Sequence, residues 1–290
     1  MSPRPIAGLS EIADRFDGFI LDLWGVIHDG QTPYPPAPDT LRKLTAAGKK
    51  TLLLSNAPRR AHALVTTMTG MAIPRDSYGE VLSSGEATRD ALIARDDPFF
   101  AALGNRAYHL GPERDRTVFE DTGVEIVDDI AKATFVVNTG PYDLADPLEK
   151  TDAILKAARS HNLPMVCANP DIVVIRAGQR VVCAGAIAGR YEAMGGRATY
   201  RGKPDPAIYE LAIKQLGIAD RTRVAVVGDA LETDIKGAAS VGLPAIWCTG
   251  GIHAAALGVS YGVAADPAKA IALAAKEGYS PAYIIPGFFW

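Results

Sequence analysis

The chain has 290 residues, of which 48% are hydrophobic and 22% charged, and its formal net charge is −3. This composition is typical of a globular protein, and the length is sufficient for two domains with separate hydrophobic cores. The near-neutral charge, without a basic stripe, argues against nucleic acid or an anionic membrane surface as the main partner, and no apolar run approaches the roughly 18 residues needed to span a bilayer.

Strands and helices alternate in the first 80 residues. In chain order, the hydrophobic pattern predicts strand Phe19–Leu23, helix Asp39–Ala47, strand Thr51–Leu54 and helix Arg60–Met71. The first strand belongs to the run FILDLWGVIHDG, in which apolar residues surround the carboxylate of Asp22 and the run breaks at Gly25. Such a strand is expected to be buried in a parallel sheet and to deliver Asp22 to its carboxyl end, where open α/β sheets place their ligands.

Residues 83–200 are predicted to form a second α/β domain inserted into the first. The predicted strands are Ala107–Leu110, Thr134–Asn138, Met165–Ala168, Ile172–Ile175 and Val181–Cys183, and the predicted helices are Glu86–Arg95, Pro147–His161 and Ala184–Met194. A block with this many elements is too large to be a loop. We therefore divide the chain into a first core segment, residues 1–82, an inserted domain, residues 83–200, and a second core segment, residues 201–290.

The same alternation returns after the inserted block. The predicted elements are helix Asp205–Leu216, strand Val224–Val227, helix Thr233–Val241, strand Ala245–Thr249 and helix Asp266–Lys276. The fold class is therefore α/β, with a Rossmann-like parallel-sheet core and an inserted α/β domain. The aromatic tail YIIPGFFW would form an exposed apolar patch if it were loose, so we expect it to dock on the core or on a partner subunit, which leaves a homodimer open.

Polar residues follow the predicted core strands at the same edge of the sheet. Asp22 ends the first strand, Ser55 and Asn56 end the second, and Asp229 follows VAVVG, with Asp234 five residues further on. Carboxylates that lie close together repel unless a cation or a proton separates them, and a set of oxygen ligands favours Mg²⁺. The simpler alternatives are that Asp22 caps a turn and that Asp234 is an acidic first-turn residue of its helix.

Lys203, in RGKPDP, lies in a loop just before a helix. A lysine beside a carboxylate cluster binds phosphate and keeps Asp22 ionised, whereas most loop lysines are simply solvated. Ser55 is a candidate donor to a phosphate oxygen, or alternatively the N-cap of the following helix. Asn169 and Asp171, in CANPD, form a polar pair after an apolar strand, which we expect to face the substrate; the alternative is an ordinary turn built on Pro170.

These motifs, in this order, resemble the haloacid-dehalogenase-like (HAD) superfamily of aspartate-nucleophile hydrolases. The matching segments are Asp22 with the turn at Gly25, SN at Ser55, GKP at Lys203 and GDALETD from Gly228 to Asp234. The inserted domain resembles the larger α/β cap of the family, subtype A, and CANPD and GAIAGRYEAMGGR resemble signatures of that cap. The pattern is most similar to the nucleotide and nitrophenyl phosphatases of class IIA.

The resemblance implies a mechanism and a site. Asp22 would attack phosphorus and form an aspartyl-phosphate, and Ser55 and Lys203 would hold the phosphoryl oxygens. Mg²⁺ would be held by Asp22, the backbone carbonyl of Trp24 and Asp229, with Asp234 behind them. The substrate would be a small phosphorylated metabolite, in contact with the segments that contain Asn56, Asn169 and Asp171.

Trp24 departs from the family pattern, because the phosphatases carry there a second Asp that protonates the leaving group. Indole has no proton that titrates near neutral pH and cannot do that work. We therefore keep three hypotheses: a slow or specialised phosphatase, a phospholigand-binding or regulatory protein, and a carbon–halogen hydrolase. His28 is a candidate substitute for the missing acid. The odd and scattered cysteines favour reduced thiols and a cytoplasmic protein; they are Cys167, Cys183 and Cys248.

Overall fold

Two parallel sheets organise the chain, which the computed structural model describes over residues 3–176 and 179–290. In chain order the strands are β1 (Arg4–Pro5), β2 (Gly18–Leu21), β3 (Lys50–Ser55), β4 (Glu80–Ser83), β5 (Arg106–Leu110), β6 (Glu125–Ile126), β7 (Phe135–Asn138), β8 (Met165–Cys167), β9 (Val173–Arg176), β10 (Gln179–Val182), β11 (Ala198–Tyr200), β12 (Val224–Gly228), β13 (Ala245–Cys248) and β14 (Tyr283–Ile285). The α-helices are α1 (Ala37–Ala46), α2 (Ala61–Gly70), α3 (Ser84–Ala94), α4 (Pro98–Ala101), α5 (Asp152–Ser160), α6 (Ala184–Ala193), α7 (Pro206–Leu216), α8 (Lys236–Ser240), α9 (Ala254–Leu257) and α10 (Pro267–Lys276).

The larger sheet has the strand order β1-β14-β13-β12-β2-β3-β4, and all of its neighbouring strands run parallel. Every residue of the central strands β2 and β12 is buried. Helices cover both faces of this sheet: α1 and α2 pack with one hydrophobic cluster, and α7, α8 and α10 with the other. A parallel sheet covered on both faces has continuous apolar strands, which is why these strands could be predicted from short apolar runs.

The smaller sheet has the order β11-β8-β7-β5-β6, again parallel throughout, and packs its own hydrophobic clusters. Its strands come from residues 106–200, between the two chain segments that build the larger sheet. The chain is therefore an α/β protein, as predicted, and its two parallel sheets are separate. The boundaries at residues 83 and 200 stay a prediction.

Several elements differ from the predicted ones because of local geometry. The helix predicted at Thr233–Val241 begins earlier, with the π-helical turn Leu231–Ile235, and continues as α8. The helix predicted from Pro147 starts with a 3₁₀ turn at Leu148–Thr151, and only α5 is α-helical. The strands predicted around Ile172–Ile175 and Val181–Cys183 pair with each other as the antiparallel hairpin β9–β10 rather than joining the smaller sheet.

The aromatic tail docks on the core of its own chain. Its first residues form β14, which lies between β1 and β13, and the side chain of Phe288 is fully buried. The Phe288 amide donates to the hydroxyl of Tyr261 (2.8 Å), and its carbonyl accepts from Thr40 Oγ1 (3.1 Å). Of the two predicted arrangements, docking on the core is the one observed. Each helix within residues 3–176 and 179–290 is too short or too polar to cross a membrane.

Candidate active site at the carboxyl edge of the larger sheet

Three aspartates converge at the carboxyl edge of the larger sheet. Asp22 directly follows β2 and Asp229 directly follows β12, and these two strands are hydrogen-bonded parallel neighbours. Asp234 lies in the π-helical turn that leads into α8. One ligand oxygen from each carboxylate lies within 4.8 Å of the other two, and the three residues are 7%, 5% and 1% exposed, respectively. The strand-end residues singled out by the sequence thus form one buried carboxylate cluster.

A glycine and two backbone amides fix the positions of these carboxylates. Gly25 has φ +85°, and a Cβ at this residue would overlap the Asp229 carboxylate. Oδ2 of Asp229 accepts a hydrogen bond from the Ile252 amide (2.6 Å), and Oδ2 of Asp234 accepts one from the Ala230 amide (3.2 Å). The break of the first strand at Gly25 therefore has a local cause, because only glycine lets the loop after Asp22 pass this close to a second carboxylate.

Lys203 supplies a positive charge inside the cluster. It precedes α7, where Asp205 is the N-cap and Pro206 lies in the first turn. Its Nζ contacts Oδ1 of Asp22 (2.5 Å) and Oδ1 of Asp234 (2.7 Å), and the residue is 3% exposed. Burial by itself lowers the pKa of Lys203, but the carboxylates of Asp22 and Asp234 outweigh burial and hold this pKa well above its usual value. Lys203 is therefore a buried ammonium group and not a solvated loop lysine.

The cluster has more negative than positive charge, and this fits a bound cation. Three carboxylates against one ammonium leave a formal excess of two negative charges. Burial raises the pKa of Asp22 to about 7 although Lys203 opposes the shift, and burial also raises the pKa of Asp229. In the described part of the chain no hydrogen bond ends on the Trp24 carbonyl, so this oxygen is available as a further ligand. Oxygen donors of this kind suit a hard divalent cation.

Ser55 and Asn56 lie on the next strand of the sheet, at the end of β3. The Ser55 hydroxyl accepts a hydrogen bond from the Ala57 amide (3.2 Å), and α2 begins only at Ala61, so Ser55 is not the N-cap of that helix. Asn56 binds both backbone polar groups of Lys203: its Oδ1 accepts a hydrogen bond from the Lys203 amide (2.7 Å), and its Nδ2 donates one to the Lys203 carbonyl (3.1 Å). Asn56 therefore positions the lysine.

The CANPD segment, which begins at the end of β8 in the smaller sheet, reaches the same loop. Oδ1 of Asp171 accepts a hydrogen bond from Asn56 Nδ2 (2.8 Å), so this carboxylate faces the core. Burial raises the pKa of Asp171, while Lys203 and the hydrogen bond from Asn56 oppose the shift. Asn169 has a different position, since its Oδ1 accepts from the Asp171 amide (3.0 Å) and shapes the turn at Pro170. The structure thus brings the Asp171 carboxylate to the site, whereas the side chain of Asn169 is bound to the backbone of the turn that carries Asp171.

Trp24 and His28 lie in the loop that follows β2 and Asp22. The indole Nε1 of Trp24 donates to the carbonyl of Ile175 in β9 (2.6 Å) and so joins the loop after β2 directly to the β9–β10 hairpin. The His28 ring packs edge-on against the indole, with ring centroids 5.8 Å apart, and its Nδ1 accepts from the Gly30 amide (3.1 Å). Burial lowers the pKa of His28 to about 4, so the ring is neutral near pH 7. His28 is therefore a poor replacement for a general acid.

Two contacts of the site were not found by sequence reasoning. The amide of Ile252 binds Asp229, and the glycine pair just before it, GG after the strand AIWCT, is the signal that would have indicated a close backbone approach. The carbonyl of Ile175 accepts a hydrogen bond from Trp24 Nε1. No residue type signals this contact, because every residue has a backbone carbonyl.

Comparison with known proteins places this geometry in one family. A profile of haloacid dehalogenase-like hydrolases matches residues 19–125, and a HAD-hydrolase-like profile matches residues 200–280. The chain is similar to the crystal structure of a haloacid dehalogenase-like hydrolase from Brucella suis 1330, with a TM-score of 0.83 and 35% identity, over 98% of this chain and 99% of that one.

Two curated relatives are more distant in sequence. Chronophin of Bos taurus is 28% identical over 252 residues, which cover 79% of each chain. Dihydroxyacetone phosphatase of Corynebacterium glutamicum is 26% identical over 241 residues, which cover 81% of each chain. The chain belongs to the haloacid dehalogenase-like family of hydrolases.

Proposed function

We propose that this protein is a Mg²⁺-dependent phosphatase that uses Asp22 as its nucleophile on a small phosphorylated metabolite. The observation that carries the proposal is the buried cluster of Asp22, Asp229 and Asp234 with the ammonium of Lys203 seated against Asp22. A carboxylate must be ionised to attack phosphorus, and the ammonium favours that form. The name of the Corynebacterium relative, a dihydroxyacetone phosphatase, supports a small phosphorylated substrate.

Each residue of the cluster has a separate task in this proposal. Asp22 attacks phosphorus through one carboxylate oxygen, the bond to the leaving oxygen breaks, and an aspartyl-phosphate remains for hydrolysis by water. Lys203 and the hydroxyl of Ser55 hold the oxygens of the transferring phosphoryl group, on which negative charge is concentrated. Asp22, Asp229, Asp234 and the Trp24 carbonyl would hold Mg²⁺, which neutralises phosphoryl charge when it is bound.

Neither Trp24 nor His28, in the loop after β2, is a suitable proton donor to a leaving group. The N–H of Trp24 is already used by the Ile175 carbonyl, and His28 is buried and neutral. Positioned acid–base catalysis is typically worth about 10²–10⁴-fold, so its loss penalises basic alkoxide leaving groups most. We therefore propose a specialised phosphatase, selective for leaving groups that depart without protonation, such as the carboxylate of an acyl phosphate or a nitrophenolate.

A phospholigand-binding protein without turnover is the second candidate, and the indole of Trp24 in place of an acid favours it. A phosphatase screen with Mg²⁺ and with EDTA separates the two candidates. The screen should include acetyl phosphate, p-nitrophenyl phosphate and alkyl phosphates such as glycerol phosphate. Turnover of the first two that is lost with EDTA supports the enzyme; binding of inorganic phosphate without turnover of any of them supports the second candidate.

The buried free cysteines agree with a reducing, cytoplasmic location.

Replacing one proposed metal ligand is expected to weaken metal binding and turnover together. Asp229→Asn keeps an oxygen to accept from the Ile252 amide but removes a negative charge from the cluster. We expect Mg²⁺ affinity, measured by titration calorimetry, to fall by about tenfold or more. Asp14→Asn, at an exposed carboxylate of the core, is the matched control and should bind as the wild type does. Equal Mg²⁺ affinity in Asp229→Asn and the wild type would place the metal elsewhere.

Mg²⁺ binding is expected to strengthen as pH rises toward neutrality. Burial raises the pKa of Asp22 to about 7 and that of Asp229 above its usual value, so protons compete with a cation for both carboxyls more strongly as the pH falls. A carboxyl whose pKa is higher in the folded protein than in the unfolded chain, where it is about 4, contributes stability at pH values below about 4. This contribution is lost as the pH rises through the pKa of the folded protein. The Mg²⁺-induced rise in melting temperature should therefore be larger at about pH 8 than at about pH 6. An equal or larger rise at the lower pH would contradict this assignment.

A further inference from the structure

The indole of Trp24 makes a polar contact between the two domains beside the nucleophile. Trp24 lies two residues after Asp22, and its Nε1 is 2.6 Å from the carbonyl oxygen of Ile175, 151 positions further along the chain. The contact is partly buried. It joins the loop after β2, in the core, to the backbone of the hairpin β9–β10, which belongs to the inserted domain.

The core side of this contact is fixed by its own loop. Gly30 has φ +89°, and a Cβ at this residue would overlap the six-membered ring of the indole. The His28 ring lies edge-on to the indole at 5.8 Å, and a backbone bridge joins Trp24 and His28. The segment from Trp24 to Gly30 is therefore shaped around this side chain, and the indole N–H is held in one place.

The hairpin side has fewer constraints. Among the described residues, β9 and β10 pair only with each other and are not strands of the smaller sheet. An isolated two-stranded ribbon is at best marginally stable in water, so its position depends on contacts outside its own ladder. A hydrogen bond from a fixed indole is such a contact, and it is made to the backbone of the strand itself.

We propose that Trp24 is a positioning residue that ties the β9–β10 hairpin to the nucleophile loop and so fixes the hairpin beside Asp22. Indole suits this task because it offers one N–H donor on a large rigid ring, whereas phenylalanine has no donor and aspartate would repel the carbonyl. The effect on substrate binding rests on the proposed phosphatase function. The hydrogen bond between Trp24 and the hairpin does not rest on that function, because it is present in the protein without substrate.

The first test uses the indole N–H groups of the wild-type protein, labelled with ¹⁵N. The chain has three tryptophans, which provide internal references. Trp247 donates from Nε1 to the buried Asp229 carbonyl (2.9 Å), whereas no hydrogen bond from Trp290 Nε1 is found in the described part of the chain. We expect the Trp24 N–H, assigned by its loss in Trp24→Phe, to exchange with solvent slowly, as that of Trp247 does. Exchange as fast as that of Trp290 would overturn the proposal without reliance on any variant's folding.

The second test compares Trp24→Phe with the matched control Trp290→Phe. Removal of the tie should speed amide exchange in the hairpin strands by about three- to tenfold, the factor that one hydrogen bond of ordinary net strength supplies. The KM for p-nitrophenyl phosphate should rise by a similar factor, because a smaller fraction of molecules has the hairpin in place, while kcat changes less. The control should change none of these.

Hairpin exchange and KM in Trp24→Phe equal to those in Trp290→Phe would overturn the tie. If the protein hydrolyses no phosphate ester, the proposed function fails, but the exchange measurements still decide whether the tie exists. A raised kcat with unchanged hairpin exchange would also count against the proposal, because it would assign to Trp24 an effect on the chemical step and not on position.

Discussion

Asp22→Asn is expected to abolish turnover and to leave the fold intact. The amide oxygen is a far weaker nucleophile than a carboxylate oxygen, so the aspartyl-phosphate cannot form at a useful rate. The amide still offers an oxygen to the Lys203 ammonium, which lies 2.5 Å from Asp22 Oδ1 in the wild type. We expect a loss of about 10³-fold or more in kcat for p-nitrophenyl phosphate, since a removed nucleophile costs this much or more in well-studied hydrolases.

The control for this variant is a measurement of fold and charge. Asp14→Asn removes an exposed carboxylate of the same core and should keep full activity. Thermal melting of Asp22→Asn should stay close to that of the wild type or rise, because the substitution removes one negative charge from a cluster with an excess of them. Mass spectrometry of rapidly quenched wild-type enzyme should find a phosphoryl group on Asp22. Undiminished turnover in Asp22→Asn would rule out this nucleophile.

The strands that carry the site could be predicted because burial leaves a clear pattern in the sequence. β2 and β12 are apolar at every position and end at Asp22 and Asp229, and parallel neighbours necessarily end at the same edge of the sheet. β1, β4 and β14 could not be predicted in this way. β1 has only two residues, both exposed, and β14 has only three residues, whose place in the sheet depends on β1, from the opposite end of the chain, as well as on β13.

The individual hydrogen bonds between residues 165–176 and the loops of the larger sheet could not be predicted from sequence patterns. Asn56 and Asp171 are 115 positions apart, and their hydrogen bond depends on how the segment after β8 packs against the end of β3. The Trp24 contact adds a second difficulty, because its acceptor is a backbone carbonyl that every residue has. The sequence does indicate that Trp24 cannot act as a general acid. It does not indicate that the indole N–H donates to the Ile175 carbonyl, and this hydrogen bond changes how a substitution of Trp24 should be tested.

Trp24→Asp is expected to raise the hydrolysis of ordinary alkyl phosphates, because it supplies the carboxyl group that the site lacks beside its leaving group. The same substitution also removes the hydrogen bond to Ile175 and leaves a cavity in the space held open by Gly30. A comparison with the wild type therefore mixes three effects. Trp24→Asn is the matched reference. Asparagine is the same size as aspartate and also removes the hydrogen bond from the indole to Ile175, but it has no titratable proton.

The ratio of rates between Trp24→Asp and Trp24→Asn isolates the acid–base contribution. We expect a ratio of about 10 or more for glycerol phosphate, within the range for one positioned acid–base group, and a ratio nearer to 1 for p-nitrophenyl phosphate, whose leaving group needs little protonation. The lost indole is expected to destabilise both variants by about 3 kcal/mol or more, so unfolding must be measured alongside rate. Two folded, Mg²⁺-binding variants with equal rates on both esters would show that the proton donor is not what limits this site, and would favour the phospholigand-binding candidate.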